Sequence, residues 1–344
     1  MSGLDWSAHR LVLAPMAGGP STVALAAAGA EAGMFPFLAG AYLTADRLRT
    51  EVAALRSQTS APFGVNLFVP SPNGPSMLDD SRTYAAVLAP WAEAAGVSLG
   101  EPRYDDDGFD VKVRALVELA PPVVSFSFGW PPADVVAALR AVGCEVWVTV
   151  NAPDEVVQAT SLGVDGLVAQ GWEAGGHRGG PSDAGVQQLA VRELVSAMRL
   201  ATDLPVMVAG GVMSGGEAAA LLGLGATAVA FGTAFLCCPE AGTAQVHRDA
   251  LTQRERTTVT RAFTGRSARA LVTTWTERFG SLAPAAYPHV HHLTAPLRAH
   301  GKATGNAELV HLWAGTGHAR IRALPAAELG RRLMAELMAA LETS

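Results

Sequence analysis

The stretch Pro205-Val-Met-Val-Ala-Gly-Gly-Val-Met-Ser-Gly-Gly-Glu-Ala-Ala-Ala-Leu-Leu-Gly-Leu-Gly-Ala-Thr-Ala-Val-Ala-Phe-Gly-Thr233 decides the fold. Its first run, Pro205 to Ala209, is continuously apolar, as a strand covered on both faces must be, and shows no period-two alternation. Ser214-Gly-Gly-Glu217 then opens a helix over Ala218 to Leu224, and Gly225 stands where a helix-ending glycine belongs. A second buried run, Ala228 to Phe231, follows at once. Strand, helix and strand in this order form a parallel βα unit.

The same unit recurs outward to the N-terminus. Further strand candidates are Leu11 to Met16, Met34 to Ala39, Phe63 to Phe68, Val123 to Phe126, Glu145 to Val150 and Gly166 to Ala169. Ser21 is placed to open a helix over Thr22 to Ala32, and Thr44 one over Ala45 to Gln58, while Gly33, Gly143 and Gly163 mark helix ends. Eight parallel strands can close, so the expected fold is α/β: a (β/α)8 TIM barrel with an added C-terminal helical segment, an open doubly wound sheet being the alternative. Two regions interrupt the repetition. One runs from Val69 to Asp110, with a helix near Arg82 to Ala95, and the other from Gln245 to His318; an amphipathic helix from about Ala326 to Leu341 ends the chain. The expected organisation is a cofactor-binding barrel over residues 1–240 with an excursion at 69–110, a lid or substrate segment over 241–320, and a final segment, 321–344, packing back on the barrel.

Composition narrows the function classes. With 49% hydrophobic and 16% charged residues the chain can bury a large core, which excludes a disordered class. The net charge of −6 and the scatter of the basic residues give no patch for nucleic acid. Cys144, Cys237 and Cys238 have no metal or dithiol spacing and are expected as buried, reduced thiols. No metal site is expected. The start, Met1-Ser-Gly-Leu-Asp-Trp6, lacks a basic region followed by an apolar run, and no apolar stretch is long enough to span a membrane, so a cytoplasmic protein is expected.

Chemistry concentrates at strand ends. Gln170-Gly-Trp-Glu-Ala-Gly-Gly-His-Arg-Gly-Gly180 places an amide, a glycine loop and His177 directly after a strand, where Gly175 and Gly176 allow a ligand close approach; a surface loop with a solvated histidine is the bland alternative. Gly210 and Gly211 after the seventh strand, and Gly232 and Thr233 after the eighth, can aim backbone N–H groups at a phosphate, although paired glycines also make plain turns. Neither a P-loop nor an early dinucleotide fingerprint occurs, so a mononucleotide fits better. Asn66 and Gln170 offer amides suited to the edge of a flavin pyrimidine ring, or to tying loops together. Met16, in Ala14-Pro-Met-Ala-Gly-Gly-Pro20, either lies against such a ring or fills core space. Glu173 is read as an anchor for backbone N–H groups rather than an acid, and the pair His291 and His292 as solvated surface rather than part of a lid.

Taken together, LAPMAGGPST (Leu13–Thr22), GVNLF (Gly64–Phe68), QGWEAGGHRG (Gln170–Gly179), VMVAGGV (Val206–Val212), FGTAFL (Phe231–Leu236), YPHVHHLTAPLR (Tyr287–Arg298) and LWAG (Leu312–Gly315) resemble the bacterial class of the nitronate monooxygenase family, formerly 2-nitropropane dioxygenase. The resemblance implies an FMN-dependent barrel enzyme that oxidises alkyl nitronates such as propionate 3-nitronate with dioxygen. It implies Asn66, Gln170, Gly175, Gly211 and the segment Ala230, Phe231, Gly232, Thr233 as FMN contacts, Ala14 and Met16 as lining from the first loop, and His177 as the active-site histidine. Small-molecule partners follow, and a homodimer is compatible with them. Two positions depart from the family pattern, since Ala230 and Thr316 stand where glutamine is frequent, and any family lysine near the flavin is matched only by Lys302. His177 is expected to hydrogen-bond the nitro oxygens, as imidazolium or as neutral donor; with neutral nitroalkanes it would act as general base. The rival enzyme reading is an FMN-dependent NAD(P)H reductase of quinones or enoyl-acyl carrier protein, and the non-enzyme reading is a flavin- or phosphate-binding scaffold.

Overall fold

The computed structural model describes residues 3–183 and 188–343; Met1 and Ser2 of the N-terminal reading, and Ser344 of the last expected segment, lie outside the described residues. Eight parallel strands, β1 (Leu11–Leu13), β2 (Phe35–Ala39), β3 (Gly64–Phe68), β4 (Val123–Ser127), β5 (Glu145–Val150), β6 (Gly166–Gln170), β8 (Val206–Ala209) and β9 (Ala228–Phe231), close into a barrel. Closure runs through Val12 opposite both Phe35 of β2 and Ala230 of β9. The pair Gly176–His177, β7, stands outside the barrel.

Most strand candidates are met within a residue or two, and the exceptions have local causes. β1 stops at Leu13 rather than Met16, because Pro15 has no N–H for a ladder and the Met16 N–H donates to Ser21 Oγ at 2.8 Å. Ser21 is therefore not the cap of the first helix, α1 (Val23–Glu31); Thr22 Oγ1 accepts from Leu25 N instead. Thr44 caps α2 (Ala45–Gln58) as expected. The excursion helix, α3 (Pro75–Ala94), starts earlier than read, with Pro75 in its first turn. α4 (Phe109–Leu119), α5 (Ala133–Ala141), α6 (Glu155–Ser161) and α7 (Val191–Arg199) follow. α8 (Gly215–Gly223) begins directly after Ser214, where Glu217 Oε2 accepts from the N–H groups of Met213 and Ser214 at 2.8 and 3.2 Å.

Inside the barrel, Trp6, Phe35, Phe37 and Trp147 fill the amino ends of the strands. Two glycines make room: a Cβ on Gly64 would lie 2.2 Å from the Phe37 ring and one on Gly166 2.5 Å from Trp147. Both indole N–H groups donate to Glu145 Oε2, at 3.0 and 3.1 Å. With that end plugged, the carboxyl ends are left for a ligand.

The rest of the chain builds a cap and a strut. α9 (Gln245–Gln253), β10 (Thr257–Thr260), β11 (Ala268–Leu271), α10 (Thr274–Phe279) and α11 (His289–Thr304) follow the barrel, and β10, β11 and β7 form a three-stranded antiparallel sheet. Tyr84 and Leu88 of α3 share one core with Phe263, Trp275, Phe279 and Val290, and Tyr84 Oη donates to Ala262 O at 3.0 Å. The early excursion is thus buried against the late segment. The last helix, α12 (Ala326–Glu342), returns to pack its Leu329, Leu333 and Leu337 in the main core. Among the described residues no helix is long and apolar enough to cross a membrane, and the three cysteines are buried and unpaired.

The α8–α12 crossing makes a stability prediction. A Cβ on Gly215 would lie 2.1 Å from Leu333 O and 2.3 Å from Leu337 N, both backbone, so Gly215→Ala must push the helices apart. The expected loss is about 3 kcal/mol, as for severe overpacking, read as a lower urea midpoint. Gly216→Ala, with nothing within 4 Å of its Cβ, is the matched control and should be neutral or stabilising. Equal midpoints for the two variants would refute the close crossing.

Candidate active site

A cavity of about 570 Å³ opens at the carboxyl ends of the strands. Of the residues singled out in the sequence it brings together Ala14, Met16, Asn66, Gln170, Gly175, Gly176, His177, Gly210, Gly211, Ala230, Gly232 and Thr233. Phe231 is the exception. Alternation along β9 turns Ala228 and Ala230 into the barrel, while Val229 and Phe231 point outward into the helix layer, where the Phe231 ring is fully buried. Its backbone still serves the site, since its carbonyl accepts from Ala14 N at 3.0 Å.

One end of the cavity is made of backbone. Gly210 and Gly211 follow β8, and Gly232 and Thr233 start a short 3-10 turn after β9. Among the described residues the N–H groups of these four have no backbone hydrogen-bond partner outside regular elements, so they remain available to an anion. Thr233 Oγ1 accepts from Gly315 N at 2.9 Å, which ties the LWAG segment to this end, and Thr316 is held there through its N–H to Glu173 O at 3.0 Å. Met16 packs against the core and also borders Gly232, whose built Cβ would lie 3.8 Å from its sulfur.

The glycine loop is held by its own amide. Gln170 Nε2 donates to His177 O at 2.9 Å, and Gln170 Oε1 accepts from Asn151 Nδ2 and Gly179 N at 2.9 and 2.8 Å. Of the two roles open to Gln170, the loop tie is the one occupied. Asn151 Oδ1 in turn accepts from Gly180 N at 2.6 Å. Glu173 accepts from Val191 N at 2.9 Å, at the first turn of α7, which is the anchoring role expected of it. The loop then leaves the barrel: β7 pairs with β11, Gly176 opposite Arg269 and His177 opposite Ala268. Asn66 donates through Nδ2 to Ser125 Oγ at 2.9 Å, and Nδ2 also lies 3.2 Å from Ser125 O.

The opposite wall is aromatic and cationic. Phe128 lies edge-on to His177 and Tyr287, each at 5.4 Å between centroids, and Arg266 sits over its face at 4.2 Å. Tyr42 stacks on His291 at 4.7 Å and 4°. His291 is thus cavity wall rather than solvated surface; its neighbour His292 reaches outward to Asp105 at 3.4 Å. Arg298, two turns of α11 further on, donates to His291 O at 2.6 Å, and Lys302 lines the same wall. Among the described residues the cavity wall includes His177, His247, His291, His311, Arg298 and Lys302 but no carboxylate. Burial first, then the charges of Arg266 and Arg298, pull the His177 pKa down to about 3, so the ring is a neutral imidazole near neutral pH. In the free protein this favours the neutral donor over the imidazolium. Burial also pushes Tyr42 up to about 12 and holds Tyr287 well above the ordinary phenol value, so both phenols stay protonated, Tyr287 donating to Tyr42 at 3.3 Å.

Comparison with known proteins gives this geometry a family. The family model described as nitronate monooxygenase matches residues 5–337. A nitronate monooxygenase of Pseudomonas aeruginosa is 38% identical, covering 95% of each chain. The chain belongs to the nitronate monooxygenase family. Another relative so named, from Paraburkholderia phytofirmans, is 36% identical over 96% of this chain and 93% of its own length. Among solved structures, nitroalkane oxidase from Streptomyces ansochromogenes superimposes with a TM-score of 0.93 at 45% identity, covering 97% of both chains. FabK from Thermotoga maritima follows at 0.75 and 25%, covering 98% of this chain and 94% of its own. As a nitronate monooxygenase family member the chain is a flavin-dependent oxidoreductase, and the two family departures fall inside the site region: Ala230 on the cavity wall, Thr316 beside Gly211.

Sequence reasoning passed over Tyr42, Phe128, Thr264 and His311 as site residues. Tyr42 and Phe128 follow strand ends with φ of 63° and 77°, a left-handed backbone that residue type does not announce. Thr264 and His311 come from the segment after the barrel, and only the tertiary fold carries them to the cavity.

Proposed function

We propose that this chain binds FMN and oxidises alkyl nitronates with dioxygen to a carbonyl compound and nitrite or nitrate. The observation that carries the reading is the polarity of one cavity: free backbone N–H groups of Gly210, Gly211, Gly232 and Thr233 at one end, His177 with the cationic wall at the other, and no carboxylate between. A ribityl phosphate suits the first end, as a phosphate suits the loops after the last two strands of this fold. An anionic nitronate suits the second. The donor set fits FMN, with Ala14, Met16, Asn66 and Ala230 lining the space between, and the bound flavin would supply the electron acceptance.

The chain's own residues have a limited task. A nitronate is already a carbanion equivalent, so no strong base is called for. The neutral His177 offers a hydrogen bond to the nitro oxygens, where charge changes during oxidation. Phe128 and Tyr42, backed by Tyr287, form an apolar, proton-holding wall that would exclude water from the reacting carbon. Arg298 and Lys302 raise the local concentration of the anion. Residues 241–320, with the excursion helix packed on them, would act as the cover of this site.

The purified protein should be yellow and should consume oxygen with propionate 3-nitronate in the absence of NADH. Anaerobic mixing separates the rival reductase: bleaching of the flavin by nitronate but not by NADH is expected, and rapid bleaching by NADH with no nitronate turnover would replace this reading by the reductase. A yellow protein inert to both would leave only a flavin-binding scaffold.

A further inference from the structure

The protonation of His177 was left open by its sequence, yet it decides whether the ring offers substrate a proton or a lone pair. Its Nε2 lies 2.9 Å from Thr264 Oγ1, and among the described residues no hydrogen bond engages its Nδ1. His177 lines the cavity, so Nδ1 is the nitrogen left for a ligand. Whatever proton arrangement the threonine imposes at Nε2 is mirrored at Nδ1.

We infer that the Thr264 hydroxyl donates to His177 Nε2 and so fixes the ring as the tautomer that presents Nδ1–H to substrate, making Thr264 the positioning residue of the site. The inference rests on the nitronate reading only for what the N–H is used for. A hydroxyl has one proton, and three partners surround this one. Arg266 N approaches Oγ1 as a donor at 3.4 Å, Arg266 O lies 3.3 Å away, and His177 Nε2 lies at 2.9 Å. The N–H can only donate, so it takes an oxygen lone pair. Between the two acceptors the imidazole nitrogen is nearer by several tenths of an ångström, and a carbonyl at 3.3 Å is at the weak end of O–H donation. The reverse arrangement would aim two N–H groups at Oγ1 and leave it only the longer bond to give.

The hydroxyl is also held in place. Thr264 is 2% exposed, in a turn where the N–H groups of Thr264 and Gly265 both donate to Arg261 O, at 3.2 and 2.8 Å. Gly265 has φ of +79°, and its built Cβ would lie 2.7 Å from Ala286 C, so the turn is pressed against the start of α11. Asp183 fastens the turn from the barrel side, accepting from Arg261 Nε at 2.7 Å and from Ser267 N at 2.9 Å, and Arg266 donates to the carbonyls of Arg178 and Gly180. The backbone that carries the imidazole is fixed as firmly, by the β7–β11 pairing and by Gln170 on its carbonyl. Both partners of the 2.9 Å contact therefore sit on clamped backbone, and its proton has a defined owner.

The test reads the tautomer directly. In the flavin-loaded protein with 15N-labelled histidine, with His177→Asn used to assign the signals, His177 should show a protonated Nδ1 and a bare Nε2. Thr264→Val should shift the ring toward Nε2–H and lower nitronate kcat about tenfold, a fraction of what loss of a whole donor costs, with KM little changed. Thr264→Ser, which keeps the hydroxyl, should restore both. A wild-type ring protonated at Nε2, or a folded Thr264→Val protein with wild-type kcat and tautomer, would overturn the inference. The NMR result on the wild-type protein stands even if a variant does not fold. It is also independent of the reaction: Nδ1–H without nitronate turnover sustains the tautomer and removes the nitronate reading, and Nε2–H with full turnover does the opposite.

Discussion

His177→Ala should lower kcat/KM for nitronates by about 10²–10³-fold, the loss seen when one preorganised donor to a developing charge is removed. Bound flavin should remain, because the proposed phosphate end is built from Gly210, Gly211, Gly232 and Thr233 and shares no hydrogen bond with the imidazole. The loss is expected mainly in kcat, since a hydrogen bond that strengthens as charge moves acts on the transition state more than on bound substrate. The pH dependence separates donor from base. With its pKa pulled down to about 3, His177 stays neutral at and above about pH 5, so it contributes no limb to the nitronate kcat/KM profile there. A general base of ordinary histidine pKa would instead give a rate rising through about pH 6.5. Oxygen uptake by wild type and variant between about pH 5 and 8 checks both points. Full retention of turnover on every nitronate by His177→Ala would end the donor role.

How much of this site could be read in advance depended on the kind of signal. The barrel was legible because parallel strands covered on both faces are continuous apolar runs, as in β5 and β8, and because their ends carry glycines in ligand-facing turns. Twelve of the thirteen residues named from sequence border the cavity; the thirteenth, Phe231, lies on the other face of its strand, and only the register of β9 against β1 shows which face is which. A two-residue strand such as β7 has no periodicity to detect, so nothing foretold that the glycine loop would leave the barrel and pair with β11. His291 was read as surface from its charged neighbourhood, but the charge in question, Arg298, is itself 8% exposed and turned inward. Two duties stayed open for Gln170 in the sequence, and the loop tie shows only through Asn151 and Gly179, which are distant in sequence or hidden in the loop.

The same wall predicts acid lability. His177 and His247 are pulled down to about 3 and about 4, and His291 and His311 well below the usual histidine value, each chiefly by burial, with neighbouring Arg298 or Lys302 adding to it. In the unfolded chain the same four rings take up protons near about pH 6.5. Because the folded values are depressed, the unfolded state binds more protons below that pH, so stability is fully present above it and falls as pH drops toward the folded values. Each ring that stays neutral in the fold contributes a slope approaching about 1.4 kcal/mol per pH unit. Between about pH 6.5 and 5, His177 and His247 would together cost about 3 kcal/mol, and about 2 kcal/mol once water in the cavity is allowed to screen His177, with His291 and His311 adding in the same direction. Even the smaller figure is a large share of the ~5–15 kcal/mol that holds a domain together. The raised carboxyls of Asp107 and Glu155 act in the opposite sense, so the diagnostic quantity is the difference between wild type and a variant lacking one ring. His247→Gln keeps a donor for Trp313 O, which His247 Nε2 approaches at 3.0 Å. It should flatten the fall of the urea midpoint between about pH 6.5 and 5 by roughly a quarter. An equal fall in wild type and variant would mean that His247 is already charged in the folded cavity, and that the wall tolerates a cation where burial argues against one.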